Sequence, residues 1–176
     1  MKILIIGNEG YIGPVVVNHF KKQYDNITIC GFDTGYFAHS ITSDQGYPDK
    51  FIDIQFRGDV RNFPYKILDG FDVVIYLAAI SNDPMGKEFE KVTYEINQVS
   101  ALKIANKAKE MGVHHFIYAS SCSVYGSADN KPRVEKSKLN PLTAYAKSKV
   151  NTEIELKPLA SNDFIITCHR FATACG

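Results

Sequence analysis

Cysteine is scarce in this sequence, and no two cysteines are spaced to share a metal. Cys30, Cys122, Cys168 and Cys175 include no CxxC unit, so no zinc site is expected. Each sits in or beside an apolar, strand-like run and is expected to act as a small buried hydrophobe. A reduced, cytoplasmic protein follows, with a Cys168–Cys175 disulfide as the open alternative. Charge of one sign is also missing: 20 basic residues face 19 acidic ones, for a net charge of +1. Without a basic block there is no nucleic-acid or anionic-membrane surface. Long apolar runs are absent as well, since VVI (73–75) and ILII (3–6) are far too short to cross a bilayer. Residues 1–30 lack the layout of a signal peptide, because the early apolar run is short and a glycine turn follows it. No internal repeat or low-complexity segment occurs.

What is present is alternation. With 176 residues and 45% hydrophobic content, the chain suits one globular domain, which at this size hides about 70% of the surface its unfolded form exposes. Strands are predicted at 2–7, 26–33, 51–60, 71–79, 114–121 and 164–172, and a first helix at 14–23. VVIYLAA is apolar throughout, as expected of a strand buried on both faces of a parallel sheet. Between the fourth and fifth strands, Phe89, Val92, Ile96, Val99 and Leu102 recur at three- and four-residue spacings. They predict one continuous apolar stripe on a helix over roughly 87–111. Glu88 and Glu90 near its start and Lys103, Lys107 and Lys109 near its end suit the helix dipole, and Gly112 is placed to cap it. Another helix, roughly 143–157, follows Pro141 and stops before Pro158. Segment 34–50 shows no clear period and is predicted irregular. The fold class is therefore α/β: a doubly wound (Rossmann) parallel sheet of about six strands with helices on both faces. Ligands of such sheets bind at the carboxyl ends of the strands.

GNEGYIG puts Gly7, Gly10 and Gly13 at three-residue intervals between the first strand and the first helix. Glycines there let the backbone turn tightly and approach a phosphate, which meets the N–H groups of a helix N-terminus. The spacing is GxxGxxG and not the general GxGxxG. A structural turn explains such a triplet taken alone; the strand before it and the helix after it supply the context of a pyrophosphate site. Pro14 is tolerated in a first helical turn. Asp33 ends the second strand, at the distance where a carboxylate accepts hydrogen bonds from the adenosine ribose and repels a 2′-phosphate. No Lys or Arg directly follows it, so NAD is favoured over NADP. The plainer alternative is a turn aspartate.

AYAKSK places Tyr145 and Lys149 one turn apart on one helix face. A phenol with the ordinary pKa of about 10 is a poor base at neutral pH, and an ammonium one turn away favours the phenolate. Such a pair can take a proton from a hydroxyl while hydride leaves the carbon. YxxxK alone is a common accident. Upstream, however, YASSCSVYG leaves Ser120, Ser121 and Ser123 at the carboxyl end of the fifth strand, where a hydroxyl can hydrogen-bond the reacting oxygen.

GxxGxxG, Asp33, GDV (58–60), LAA (77–79), Asn97, SSxSVYG and YxxxK follow the order and spacing of the extended short-chain dehydrogenase/reductases. More narrowly, the chain resembles the NAD-dependent epimerase/dehydratase family acting on nucleotide sugars, over its full length. The resemblance implies a pyrophosphate held by Gly7, Gly10, Tyr11, Ile12 and Gly13, and an adenosine ribose held by Asp33. Asp59 and Val60 would flank adenine, while Leu77, Ala78, Ala79 and Asn97 would line the nicotinamide half. Ser121 would belong to the catalytic set, Tyr145 would be the acid/base, and Lys149 would also bind the nicotinamide ribose. Ser81, Ser123 and Thr173 match positions near the sugar. A homodimer through the helices near 87–111 and 143–157 is implied too, with a nucleotide sugar as substrate.

Two departures refine this. The family's hexose 4,6-dehydratases carry Asp-Glu straight after the catalytic Ser or Thr, where this chain has Cys122 and Ser123. Epimerisation, or oxidation and reduction at sugar C4, is therefore preferred over dehydration. Extended members also continue well past the position of Gly176, so residues 1–176 are expected to be the NAD-binding domain with the C-terminal substrate domain absent. The alternative to an enzyme is a truncated, inactive domain that binds NAD and dimerises.

Overall fold

A computed structural model describes residues 1–37, 51–81, 88–127 and 131–174. Six strands form its sheet: β1 (Lys2–Ile6), β2 (Thr28–Asp33), β3 (Ile54–Arg57), β4 (Val73–Tyr76), β5 (His115–Ser121) and β6 (Ile165–Phe171). All neighbours pair in parallel, in the order β3-β2-β1-β4-β5-β6. The order reverses between β1 and β4, and a crevice at the carboxyl ends opens at such a switch point.

Alternation along β1 shows why both faces must be covered. Leu4 and Ile6 enter one core with Phe32, Val74, Tyr76, Phe116 and Tyr118. Ile3 and Ile5 enter a second with Val17, Ile29 and Ile75. Helix α1 (Gly13–Gln23) supplies Val17 to the second core. The first core is closed by Ile104, Ala105 and Ala108 of α3 (Ala101–Glu110) and by Leu156 of α4 (Ala144–Leu156).

The predicted strands at 51–60 and 71–79 are shorter than expected, for local reasons. After Tyr76 the chain leaves the ladder because the N–H groups of Leu77 and Ala78 both donate to the Ile6 carbonyl, at 2.8 and 3.0 Å. After Arg57, Asp59 opens a 3₁₀ turn over Val60–Asn62 by accepting the Arg61 N–H at 2.8 Å.

The long helix between β4 and β5 departs further from expectation. It contains α2 (Glu90–Tyr94), a π-helical stretch over Glu95–Ser100, and then α3. Phe89 and Val99 of the predicted apolar stripe are 46% and 42% exposed. The buried line instead runs through Thr93, Asn97, Ser100, Ala101, Ile104, Ala105 and Ala108. This line keeps its three- and four-residue spacing through the π stretch, on a face neighbouring the predicted stripe; Asn97 and Ser100 there bond to backbone, whereas Thr93 Oγ1 is buried without a hydrogen-bond partner. At the C-terminus, Gly112 adopts φ +80°. The Val113 N–H reaches the Ala108 carbonyl at 3.0 Å and the Gly112 N–H reaches that of Lys109 at 3.2 Å, a Schellman cap.

Cys30 is buried, but Cys122 is exposed because the strand ends one residue before it; the expected burial of every cysteine fails there. Cys168 is a free thiol and only half-buried, and Cys175 lies outside the described residues. Among the described residues no helix is long and apolar enough to cross a membrane, and no cluster of three metal-ligating side chains occurs.

Candidate active site

The three glycines of the first turn answer to different constraints. Gly7 has φ +86°, and a Cβ there would lie 2.5 Å from the Ala78 nitrogen. At Gly13 a Cβ would lie 2.1 Å from the Asn8 carbonyl oxygen. Both glycines are required by the protein's own packing. Gly10 is not, because a Cβ there would meet only the Gly7 oxygen at 3.5 Å, an ordinary contact. Its bare α-carbon lies beside the start of α1, which Ile12 caps without a side-chain hydrogen bond and whose first turn holds no acidic residue. A turn left open where a helix presents its N–H groups fits a dinucleotide pyrophosphate. Tyr11 is 63% exposed on the same turn.

Asp33 locks this turn to β2. Its Oδ2 accepts the Glu9 N–H at 3.0 Å and its Oδ1 the Gly35 N–H at 2.9 Å. The two residues between Gly7 and Gly10 reach over β2 to β3. Asn8 and Gln55 exchange amide hydrogen bonds at 2.7 and 3.3 Å, and Glu9 pairs with Arg57. Gly31 lies under the amide pair, where a Cβ would come within 2.5 Å of Asn8. Sequence reading missed all four of these side chains. Arg57 matters most: no cation directly follows Asp33 in sequence, but Arg57 is its register partner on the next strand.

Asp59, expected beside adenine, caps the 3₁₀ turn and pairs with Arg61 at 2.6 Å, which holds its carboxyl below the ordinary range. Val60 begins that turn. Leu77, Ala78 and Ala79 follow β4 and face the glycine turn through the Gly7–Ala78 approach. Asn97 is fully buried and works on this ribbon. Its Oδ1 accepts the Ile80 N–H at 2.9 Å, and its Nδ2 donates to the Ile80 carbonyl at 3.0 Å and to Ser148 Oγ at 3.2 Å. Ser148 in turn donates to the Tyr145 carbonyl at 2.7 Å.

The π stretch that carries Asn97 is held open by hydroxyls. Ser100 donates to the Glu95 carbonyl at 2.8 Å, Tyr76 to that of Ile96 at 2.7 Å, and Tyr118 to that of Asn97 at 2.9 Å. Thr152 lies 3.2 Å from the Asn97 carbonyl, but its single hydroxyl hydrogen has a nearer acceptor in the Ser148 carbonyl at 2.7 Å. Three successive carbonyls are thus drawn from the α ladder toward side chains of the sheet and the next turn.

Lys149 is the most constrained charged group of the site. It is 1% exposed, donates to the Ala119 carbonyl at 2.7 Å, and lies 4.7 Å from the Tyr118 ring centre and 5.5 Å from that of Tyr145. Burial pushes its pKa down to about 7, with Cys168 and Glu153 acting the other way. Tyr145 sits in the first turn of α4, which Thr143 caps by accepting the Ala146 N–H at 3.1 Å. Ser121 ends β5, and its Oγ accepts from the Ser123 N–H at 3.2 Å and the Ser123 hydroxyl at 3.0 Å.

Strand alternation sends Ser120 elsewhere. Its hydroxyl bonds Glu153, which Arg170 holds from the guanidinium side at 2.6–3.1 Å. Arg170 also reaches the Tyr125 hydroxyl at 2.8 Å and the Glu135 carbonyl at 2.9 Å. Glu153 lies one turn beyond Lys149 on α4, a spacing legible in the sequence. Ser81 and Thr173 are both exposed.

The family profile described as the NAD dependent epimerase/dehydratase family matches residues 3–176. The chain belongs to that family. Among curated relatives, the UDP-glucose 4-epimerase of Lactobacillus helveticus is 27% identical over 157 residues, covering 87% of this chain and 45% of that enzyme. The dTDP-D-glucose 4,6-dehydratase of Mus musculus is 29% identical over 164 residues, covering 86% and 44%. The chain spans about half the length of the curated family members it matches. Its fold is that of a UDP-glucuronic acid 4-epimerase from Bacillus cereus solved in complex with NAD. That match has a TM-score of 0.79 and 24% identity, and it covers 98% of this chain and 56% of that one.

Proposed function

We propose that this chain is the cofactor-binding part of an NAD-dependent nucleotide-sugar epimerase or C4 oxidoreductase. The observation that carries the reading is Lys149, an ionisable group buried at the carboxyl end of β5 against the Tyr145 ring. Buried ionisable groups with shifted pKa values concentrate where chemistry is done. NAD, when bound, supplies the hydride acceptor. Tyr145 takes the proton from the C4 hydroxyl at its phenol oxygen, and Lys149 below the ring stabilises the charge left there. Ser121 orients the reacting oxygen. The glycine turn binds pyrophosphate, and Asp33 accepts from the ribose hydroxyls. Ser81, Ser123 and Thr173 are the residues offered to the sugar.

Cys122 and Ser123 supply neither of the two carboxyl groups needed to eliminate water, which favours epimerisation or redox chemistry over 4,6-dehydration. Homodimerisation belongs to the same reading: Val99 and Ile154, 42% and 61% exposed on the two long helical elements, suit a helix-to-helix contact. A cytoplasmic setting fits Cys30, Cys122 and Cys168 as free thiols. A second reading is a domain that binds NAD and dimerises without turnover.

Titration of the purified chain with NADH, followed by cofactor fluorescence, tests the common ground of both. Saturable binding is expected, tighter than for NADPH. A folded chain that binds neither overturns the cofactor reading.

A further inference from the structure

The Glu9–Arg57 ion pair stands at the end of the site assigned to adenosine ribose. Asp33 and Arg57 are register partners on β2 and β3, and the Glu9 N–H is one of two donors to the Asp33 carboxylate among the described residues. The other is Gly35, where a Cβ would lie 3.2 Å from Arg57 Nη1 and 3.4 Å from Glu9 Oε2. Asp33, Gly35, Glu9 and Arg57 are thus a single cluster. The Glu9 side chain is 3% exposed and that of Arg57 is 51% exposed. A buried carboxylate without a partner is costly, so Arg57 is held to Glu9 by more than surface attraction.

The position of Arg57 is one from which an arginine receives a 2′-phosphate. A guanidinium offers a planar fork to phosphate oxygens, and in dinucleotide folds an arginine near the ribose carboxylate accommodates the phosphorylated cofactor. Here one arm of the fork, Nη1, is already engaged by the Glu9 carboxylate. A 2′-phosphate arriving there meets two anions, Asp33 and Glu9, with the cation beside them cancelled. A free 2′-hydroxyl meets only acceptors.

We infer that Glu9 is a cofactor-specificity residue: by pairing with Arg57 it withholds the guanidinium in register with Asp33 and so excludes a 2′-phosphorylated dinucleotide. The inference rests on the reading that the first turn holds NAD.

The test is a pair of titrations of the full chain, with NADH and with NADPH, on wild type and three variants, each checked for a cooperative melt. Glu9→Gln keeps the size of the side chain and removes the charge; NADPH affinity should rise about tenfold or more while NADH affinity stays within about threefold. Glu9→Gln combined with Arg57→Met should lose that gain. Arg57→Met alone strands the buried Glu9 carboxylate, so it should melt lower than wild type and gain no NADPH affinity. If Glu9→Gln fails to melt cooperatively, Glu9→Met, which also leaves no buried charge, takes its place with the same expected gain in NADPH affinity. Wild type that binds NADH, with a preference unmoved in the single Glu9 variant that folds, overturns the role of Glu9 alone. Wild type that binds neither cofactor overturns the NAD reading and this inference with it.

Discussion

The Lys149 ammonium donates to the Ala119 carbonyl across 2.7 Å in a place where water does not reach it. Its proton is bound more weakly in the folded chain, with a pKa of about 7, than at the ordinary lysine value of 10.5. Between those values the unfolded chain carries the extra proton, so the contribution of this group to stability rises with pH across that window and is flat below it. Lys149→Met removes the penalty. The variant should be more stable than wild type by a few kcal/mol near pH 6, because each tenfold weakening of proton binding costs about 1.4 kcal/mol. The difference should shrink as pH approaches about 10. Urea denaturation across this range measures it, and a gap that does not change with pH refutes the account.

Gly10 and Gly13 should fail in different ways. Gly10→Ala adds a methyl group that the protein tolerates at 3.5 Å, so its melting temperature should match wild type while NADH affinity falls about tenfold. Gly13→Ala drives a methyl group to 2.1 Å from the Asn8 carbonyl and should cost about 2 kcal/mol or more of stability. Melting and NADH titration of the same two samples separate the outcomes. Equal melting temperatures would contradict the division of labour.

Asn97 should behave as a clamp whose two ends differ. Asn97→Ala leaves the Ile80 N–H and carbonyl unpaired and should cost about 1–3 kcal/mol. Asn97→Asp keeps the shape and one acceptor but turns a carboxylate toward the Ile80 carbonyl, where Nδ2 now donates. Near neutral pH the aspartate should therefore be worse than the alanine. Denaturant midpoints for the pair decide it; an aspartate better than alanine would mean that only the Ile80 N–H contact matters.

Tyr145→Phe tests the chemistry. It removes one hydroxyl from a ring that stays against Lys149. NADH binding should change less than about threefold, while any epimerisation or oxidation of a nucleotide sugar should fall by about 100-fold or more. A variant as active as wild type would take the acid/base role away from Tyr145.

Most of the architecture was legible because it rests on local pattern. Apolar strands, a glycine turn followed by a helix, and Gly112 at a helix end each report a short-range constraint. Asp33 and Lys149 could be found because their spacing from the glycines and from Tyr145 is fixed within one turn or one βα unit. What escaped reading is long-range or depends on which helix face is buried. Glu9–Arg57 and Asn8–Gln55 join residues 48 and 47 positions apart, and no periodicity announces them. The predicted apolar stripe misplaced Phe89 and Val99 because it took large apolar side chains as the mark of the buried face, whereas that face carries Thr93, Asn97 and Ser100 with Ala101, Ile104, Ala105 and Ala108. Ser120 and Ser121 read alike as a dipeptide, but the pleat turns one to Glu153 and the other to Ser123.

The hydroxyls around the π stretch have an evolutionary corollary. Tyr76, Ser100, Tyr118 and Thr152 come from two strands and two helical segments, yet all four lie against the carbonyls of only three successive residues. A change to phenylalanine or alanine at Tyr76, Ser100 or Tyr118 strands part of a widened turn. A lineage that loses the widened turn loses this purpose for Tyr76, Ser100 and Tyr118 at once, whereas Thr152 keeps its bond to the Ser148 carbonyl at 2.7 Å. Those three positions should therefore be inherited as a linked trait, together with the extra residue that widens the helix, so that a relative one residue shorter here would carry apolar side chains at all three.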